Sequence, residues 1–212
     1  MVKKIIQIVL AVAILGLVYV VYIQISTPIK FDNERKAKEK AVIEHLKDIR
    51  SAERAFKGRY KHFTADFDSL TNFVLNEKLE LERKIVDDDD SVALAALKQT
   101  GRRNIETFTI AVIDTIFAPR VLTPDQVRNL RFVPGTNKQT EFTLHAGTLV
   151  TESKVVIPVV ECCVPYTKFL DTVKYRQEII NLIDDQVNNF NRYPGVKFGS
   201  METGNNESGN WE

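Results

Sequence analysis

Few side chains in this sequence have the type and spacing that chemistry demands. Cys162 and Cys163 stand first among them, because adjacent thiols are uncommon. Neighbouring side chains on a strand point to opposite faces, so the pair predicts one buried and one exposed thiol. A redox role needs a thiolate favoured by a cation or a helix start, and the adjoining Glu161 works against that. Ordinary cysteines are the simpler account, with the exposed one a candidate redox or cross-linking position in an oxidising compartment. Asp87 to Asp90 are four consecutive acids. A calcium loop needs spaced acids, a glycine and a terminal glutamate, which this run lacks, so it predicts a solvated turn. His45, His62 and His145 are scattered and stand in no catalytic or metal-binding motif. The sequence therefore gives no catalytic, cofactor-binding or metal-ligating residue. Tyr60, Phe63 and Phe67 form an aromatic cluster that could anchor a partner, although Phe67, Leu70 and Phe73 at helical spacing also fit an ordinary core.

The elements that carry these residues begin with an anchor. No charged residue stands between Ile5 and Ile25. As a helix, that stretch spans roughly 31 Å, against a hydrocarbon layer of about 30 Å. A helix satisfies its own backbone inside lipid, so Ile5 to Ile25 reads as a membrane span, with Tyr19 and Tyr22 toward one interface. A cleaved signal peptide would have a shorter apolar region and a small-residue cleavage site after it. Lys3 and Lys4 before the span favour an inside N-terminus and an outside C-terminal domain, while Lys30, Arg35, Lys36, Lys38 and Lys40 after it argue the other way by bare count. The short basic tail tips the reading toward an outside domain.

The whole chain of 212 residues carries 29 basic and 28 acidic side chains. Such a balance gives no footprint for nucleic acid, and two cysteines are too few for a disulfide framework. Pro28 is expected to break or kink the helix leaving the membrane, with Asp32 or Asn33 capping a new one. From Glu34 to Lys57 the residues Val42, Leu46, Ile49, Ala52 and Phe56 recur at three- and four-residue steps, and Gly58 suits the position just past the helix end. Asp66 can cap a short helix through Phe67, Leu70, Phe73 and Val74.

Beyond it, strands are expected over 78–86, 108–116 and 130–133. Residues 141–150 and 154–164 should form a hairpin, with Pro158 pushing the second strand toward an edge or a bulge. Residues 176–190 fit either a helix or a strand. The fold class is thus α+β: a transmembrane helix, then an amphipathic helix packed on an antiparallel sheet. Its parts are 1–27 (tail and anchor), 28–58 (juxtamembrane helix), 59–198 (α+β domain) and 199–212 (a loosely ordered tail rich in Gly and Asn, with Trp211 its one bulky anchor).

Two resemblances add to this. The run Ile49-Arg50-Ser51-Ala52-Glu53-Arg54-Ala55-Phe56, with Gly58-Arg59-Tyr60 and Phe67-Asp68-Ser69-Leu70, resembles the N-terminal part of type IV pilins and pseudopilins. Those proteins run a membrane helix into an amphipathic helix on an antiparallel sheet, but this chain lacks their glycine-phenylalanine processing site and the glutamate that follows it. The resemblance implies shared architecture without polymerisation. The ending Arg192-Tyr193-Pro194-Gly195-Val196-Lys197-Phe198-Gly199-Ser200, with Asn205-Asn206 and Gly209-Asn210-Trp211-Glu212, is similar to a family of uncharacterised single-pass envelope proteins of Bacteroidota. That likeness implies an inner-membrane protein with a periplasmic domain, and it carries no catalytic residues across.

The expected function is a membrane-anchored interaction or structural module, a subunit of an envelope assembly. Its partners would be the lipid bilayer and an envelope protein or a second copy, with no nucleic acid and no cofactor. The alternative is a periplasmic ligand-binding or sensor protein. A hydrolase is the least supported class.

Overall fold

The structure, a computed structural model, describes residues 2–87, 89–99, 101 and 103–212. It is α+β, a long N-terminal apolar helix followed by short helices and antiparallel sheets. Helix α1 runs from Val2 to Tyr60 without interruption, 59 residues and roughly 88 Å at the usual rise. Pro28 lies inside it, so the expected break and the capping by Asp32 or Asn33 do not occur. A proline inside a helix removes one backbone bond and costs about 3 kcal/mol. Here a long run of buried side chains beyond it keeps the helix in register. Asp32 instead pairs with Arg35 at 2.7 Å and Lys36 at 2.6 Å on the following turn. The helix also outruns Gly58: Lys61, at φ 65°, takes the left-handed position after Tyr60, its N–H bonded to the Lys57 carbonyl at 2.8 Å.

Helix α2 (Phe67–Asn76) starts where expected. The Asp66 carboxylate accepts the N–H groups of Asp68 and Ser69, and Phe67, Leu70, Phe73 and Val74 face inward. Strand β1 (Lys78–Arg83) pairs antiparallel with β2 (Glu106–Ala111), and helix α3 (Ser91–Gln99) lies between them in the chain. The strand expected over 108–116 stops at Ala111. The chain turns into helix α4 (Val112–Ile116), with the Val112 N–H on the Glu77 carbonyl and its side chain in the core. Residues 130–133 form no strand either: they follow helix α5 (Pro124–Asn129) and keep a single bridge between Phe132 and Glu141. Helix α5 has a full capping box, Thr123 with Gln126, and proline at its first turn.

The expected hairpin is present as β3 (Thr143–Val150) and β4 (Val156–Pro165), in register from Thr143 opposite Cys163 to Val150 opposite Val156. Strand β5 (Gly195–Gly199) pairs with the other side of β4, but only along Glu161–Pro165. Strand β4 is therefore central in one half and an edge in the other. Pro158 falls in the half without a β5 neighbour, where its missing N–H leaves no ladder bond unmade. Residues 176–190 are helical: α6 (Arg176–Asp184), ending in a wider π turn over Asp185–Asn189.

One hydrophobic core joins these parts. Val42, Leu46, Ile49, Ala52 and Phe56 of α1, all buried, belong to the same cluster as Phe73, Val112, Leu144, Val160, Cys162, Val196 and Phe198. Residues 199–212 are tied down along their length rather than loose. The Ser208 carbonyl accepts the Gly199 N–H at 2.9 Å, and the Asn210 side chain donates to the Gly195 carbonyl at 2.8 Å. Glu212 meets Arg50 at 2.6 Å.

Candidate interaction surface

The apolar half of α1 and the domain meet at one end of the fold, and α1 supplies half of that junction. Every described large hydrophobic side chain from Ile6 to Ile29 is exposed, and none of the most apolar stretch is buried within the fold. By length and composition α1 can cross a membrane. A helix apolar on all sides and covered by nothing in its own chain suits lipid rather than water. Burial begins abruptly at Phe31, whose ring lies 5.3 Å from that of Tyr175.

Around Phe31 a polar collar fastens the segment 166–175 to α1. The Lys174 ammonium sits 2.6 Å from the Glu34 carboxylate, and the Tyr175 hydroxyl donates to the same oxygen at 2.8 Å. Those two bonds, Lys174 first, hold the Glu34 carboxyl below its usual range. Lys38 donates to the Phe169 carbonyl at 3.2 Å, and the Tyr166 hydroxyl donates to Glu39 at 3.4 Å. Burial pushes that phenol up to about 12, so it stays a donor throughout the physiological range. Asp171 accepts the N–H groups of Val173 and Lys174, which shapes the turn leading into α6.

At the opposite end of the domain the C-terminal tail clasps α1. Glu207, itself buried, receives Arg54 at 3.2 Å and Lys57 at 3.1 Å. Between the two ends Asp48 pairs with Arg120, and burial holds the Asp48 carboxyl up against that cation.

Glu53 is completely covered, 0% exposed. One of its oxygens accepts the Thr64 N–H at 3.2 Å and the other has no partner. Desolvation raises its carboxyl to about 8, so at neutral pH it is a protonated acid inside the core. Cys162 lies in the same core, and burial, then the neighbouring Cys163, drives its thiol well up. The expectation of one buried and one exposed thiol needs correcting, because Cys163 is only 8% exposed and both sulfurs are free thiols. The two do face opposite ways, with Cys163 outside the main core. The Tyr193 hydroxyl hydrogen-bonds the Cys163 sulfur. Burial raises the Cys163 thiol as well, so neither cysteine has the lowered pKa of a reactive one.

Other sequence candidates fall as follows. Ile5 and Ile25 both lie in α1. Phe63 and Phe67 are buried core residues, while Tyr60 stays exposed at the end of α1, its ring 4.6 Å from that of Phe56 and its hydroxyl bonded to Glu77. The acidic run is an exposed turn at Asp87, Asp89 and Asp90, with Asp88 outside the described residues. Among the described residues no group of His, Cys, Asp and Glu is placed to hold a metal ion. His45 is held neutral by burial, which lowers its pKa. Glu53 escaped the sequence reading, although it stands seven residues after Leu46, squarely within the apolar stripe.

What this arrangement offers chemically is contact. Ion pairs fasten α1 at the two ends, the Glu53 acid and the thiols are sealed, and the exposed apolar surface lies chiefly on the first half of α1, with smaller patches at the β3–β4 turn and along 173–190. The class these features define is an α+β domain on a long apolar helix. No protein-family model, curated protein or solved structure matches the chain.

Proposed function

We propose that this chain is a single-pass membrane-anchored interaction module, a subunit of an envelope assembly, with α1 as both anchor and stalk. The observation that carries the reading is the continuity of α1. One uninterrupted helix passes from a fully exposed apolar half into a half whose stripe belongs to the domain core. A rigid joint of this kind holds the domain at a fixed height above the bilayer and confines it to the membrane plane. Such confinement raises its effective concentration toward other membrane components.

The juxtamembrane half of α1, in this reading, packs across the sheet β3-β4-β5, as the shared core of Leu46, Ile49, Cys162 and Phe198 favours. The short tail with Lys3 and Lys4 supports a span in the inner membrane with the domain in the periplasm. The likenesses to pilins and to Bacteroidota envelope proteins point the same way. Native co-purification from membranes in mild detergent tests the reading. A discrete complex containing other envelope proteins is expected, whereas a lone monomer at native expression would overturn the assembly role.

A further inference from the structure

Helix α6 and the turn before it leave an apolar strip uncovered. Val173 is 92% exposed, Ile180 is half exposed, and Val187 and Phe190 continue the strip beyond them. Val173 lies in the turn before α6, Ile180 on α6 itself, and Val187 in the π turn that ends it. Val173, Ile180 and Ile183 share a groove with Arg176, and Lys168 and Lys174 stand exposed close by in the chain.

The position of this strip identifies its occupant. Both ends of the excursion 166–194 are fastened near the start of the domain. Lys174 and Tyr175 are held on Glu34, Tyr166 on Glu39, and the Tyr166 N–H on the Pro194 carbonyl at 3.1 Å. Lys30 is the first charged residue after Lys4 and so marks the level at which α1 meets headgroups. Glu34 is one turn further on, about 6 Å along the axis, within a headgroup layer roughly 5–8 Å deep on each side. Apolar side chains at that height, flanked by Lys168 and Arg176, match the interfacial pattern in which apolar residues dip below the headgroups while cations meet lipid phosphates. Of the nearby acids, Asp32 and Glu34 are paired with Arg35, Lys36 and Lys174, and Asp171 is turned onto backbone N–H groups, while Glu178, Asp184 and Asp185 leave the segment without a net positive charge, so the apolar strip and not net charge carries the contact.

We propose that the Val173–Ile183 face is a second membrane contact, which seats the domain on the surface of the bilayer that α1 crosses. The inference rests on the reading of α1 as a membrane span. It turns the domain from a body on a free stalk into one held by two contacts, with a fixed rotation about α1.

Depth measurement tests it on the full-length protein in vesicles of phosphatidylethanolamine with a minority of phosphatidylglycerol. Nitroxide labels are placed singly by Val12→Cys, Val173→Cys, Ile180→Cys and Val121→Cys, and the wild-type chain with its buried cysteines sets the background. Val121 is 83% exposed and serves as the water reference. Collision rates with oxygen and with a neutral nickel complex report depth. At Val173 and Ile180 the nickel rate is expected to fall severalfold below that at Val121 while the oxygen rate rises. Adding the charge reversals Lys168→Glu and Arg176→Glu should restore nickel access. Labels at 173 and 180 as water-exposed as at 121, with the label at 12 deep in hydrocarbon, would overturn this contact and leave the span intact. A water-exposed label at 12 would overturn the span and this inference together. Protection that grows with the number of protein copies per vesicle would assign the face to a second copy and overturn the lipid contact.

Discussion

The two halves of α1 share one backbone and follow opposite design rules. From Ile6 to Ile29 the described large apolar side chains face every direction and stay uncovered, whereas from Phe31 to Phe56 the stripe of Phe31, Val42, Leu46, Ile49, Ala52 and Phe56 is buried. Charged residues are absent from the first half after Lys4 and crowd the non-stripe faces of the second. The difference shows how one helix can be specified for two solvents. An all-round apolar surface requires an apolar medium, while a stripe requires a protein partner on one side and water on the other. The transition takes a single turn, between Ile29 and Phe31, where the collar on Glu34 and Lys38 begins.

The sharpest way to break this comparison is to charge the first half. Leu15→Arg with Val18→Arg should cost membrane insertion roughly 6 kcal/mol. Fractionation should find the variant outside the membrane, with the melting temperature of its domain unchanged. A comparable loss of domain stability would mean that the two halves are not independent.

Glu53 probes the second half by pH. Its ordinary value is 4.5 and its folded value is about 8, so between these the native state holds a proton that the unfolded chain has released. Stability from this group is complete below 4.5, declines as pH rises toward 8, and is then flat. At about 1.4 kcal/mol per unit the full decline approaches 4–5 kcal/mol. Glu53→Gln, which can still accept the Thr64 N–H, should abolish it, as read by urea melts at pH 5 and about pH 9. His45 acts on the other side. Its pKa is lowered, so its contribution is lost as pH falls below its ordinary 6.5.

Within the stripe, Leu46→Ala should destabilise the domain by about 3 kcal/mol through the cavity it leaves, with no effect on insertion. The smallest effect sharpens the boundary of α2: Asp66→Ala removes both side-chain bonds to its first turn and should cost about 1 kcal/mol in thermal melts.

The same contrast explains which parts of the fold were legible in the sequence. The α1 stripe and the α2 face declared themselves by period, and every residue named for them is buried. The hairpin β3–β4 was readable from its alternation and its short polar break. Local signals failed where tertiary packing overrode them. Val112, Ile113 and Ile116 have strand propensity, yet the chain coils there to bury Val112. Pro28 reads as a stop only if the helix beyond it has no other support. Strand β5 was hidden because Val196 and Phe198, its two inward residues, are too few to show a period. Cys163 faces away from the main core and is still only 8% exposed, and its hydrogen-bond partner Tyr193 stands thirty residues on in sequence, beyond the reach of any local pattern. The surface on α6 carried no signal of its own. Its meaning comes from the bonds that fasten it beside Glu34, which no pattern of residue types announces.

The most direct test of the two-solvent helix is alkaline carbonate extraction of membranes containing the full-length protein, beside a chain shortened to begin at Lys30. The full chain should stay in the membrane pellet, and the shortened one should be released as a folded domain with a cooperative melt. Release of the full chain by carbonate would contradict the account, because it would leave the exposed apolar half of α1 without the medium it is built for.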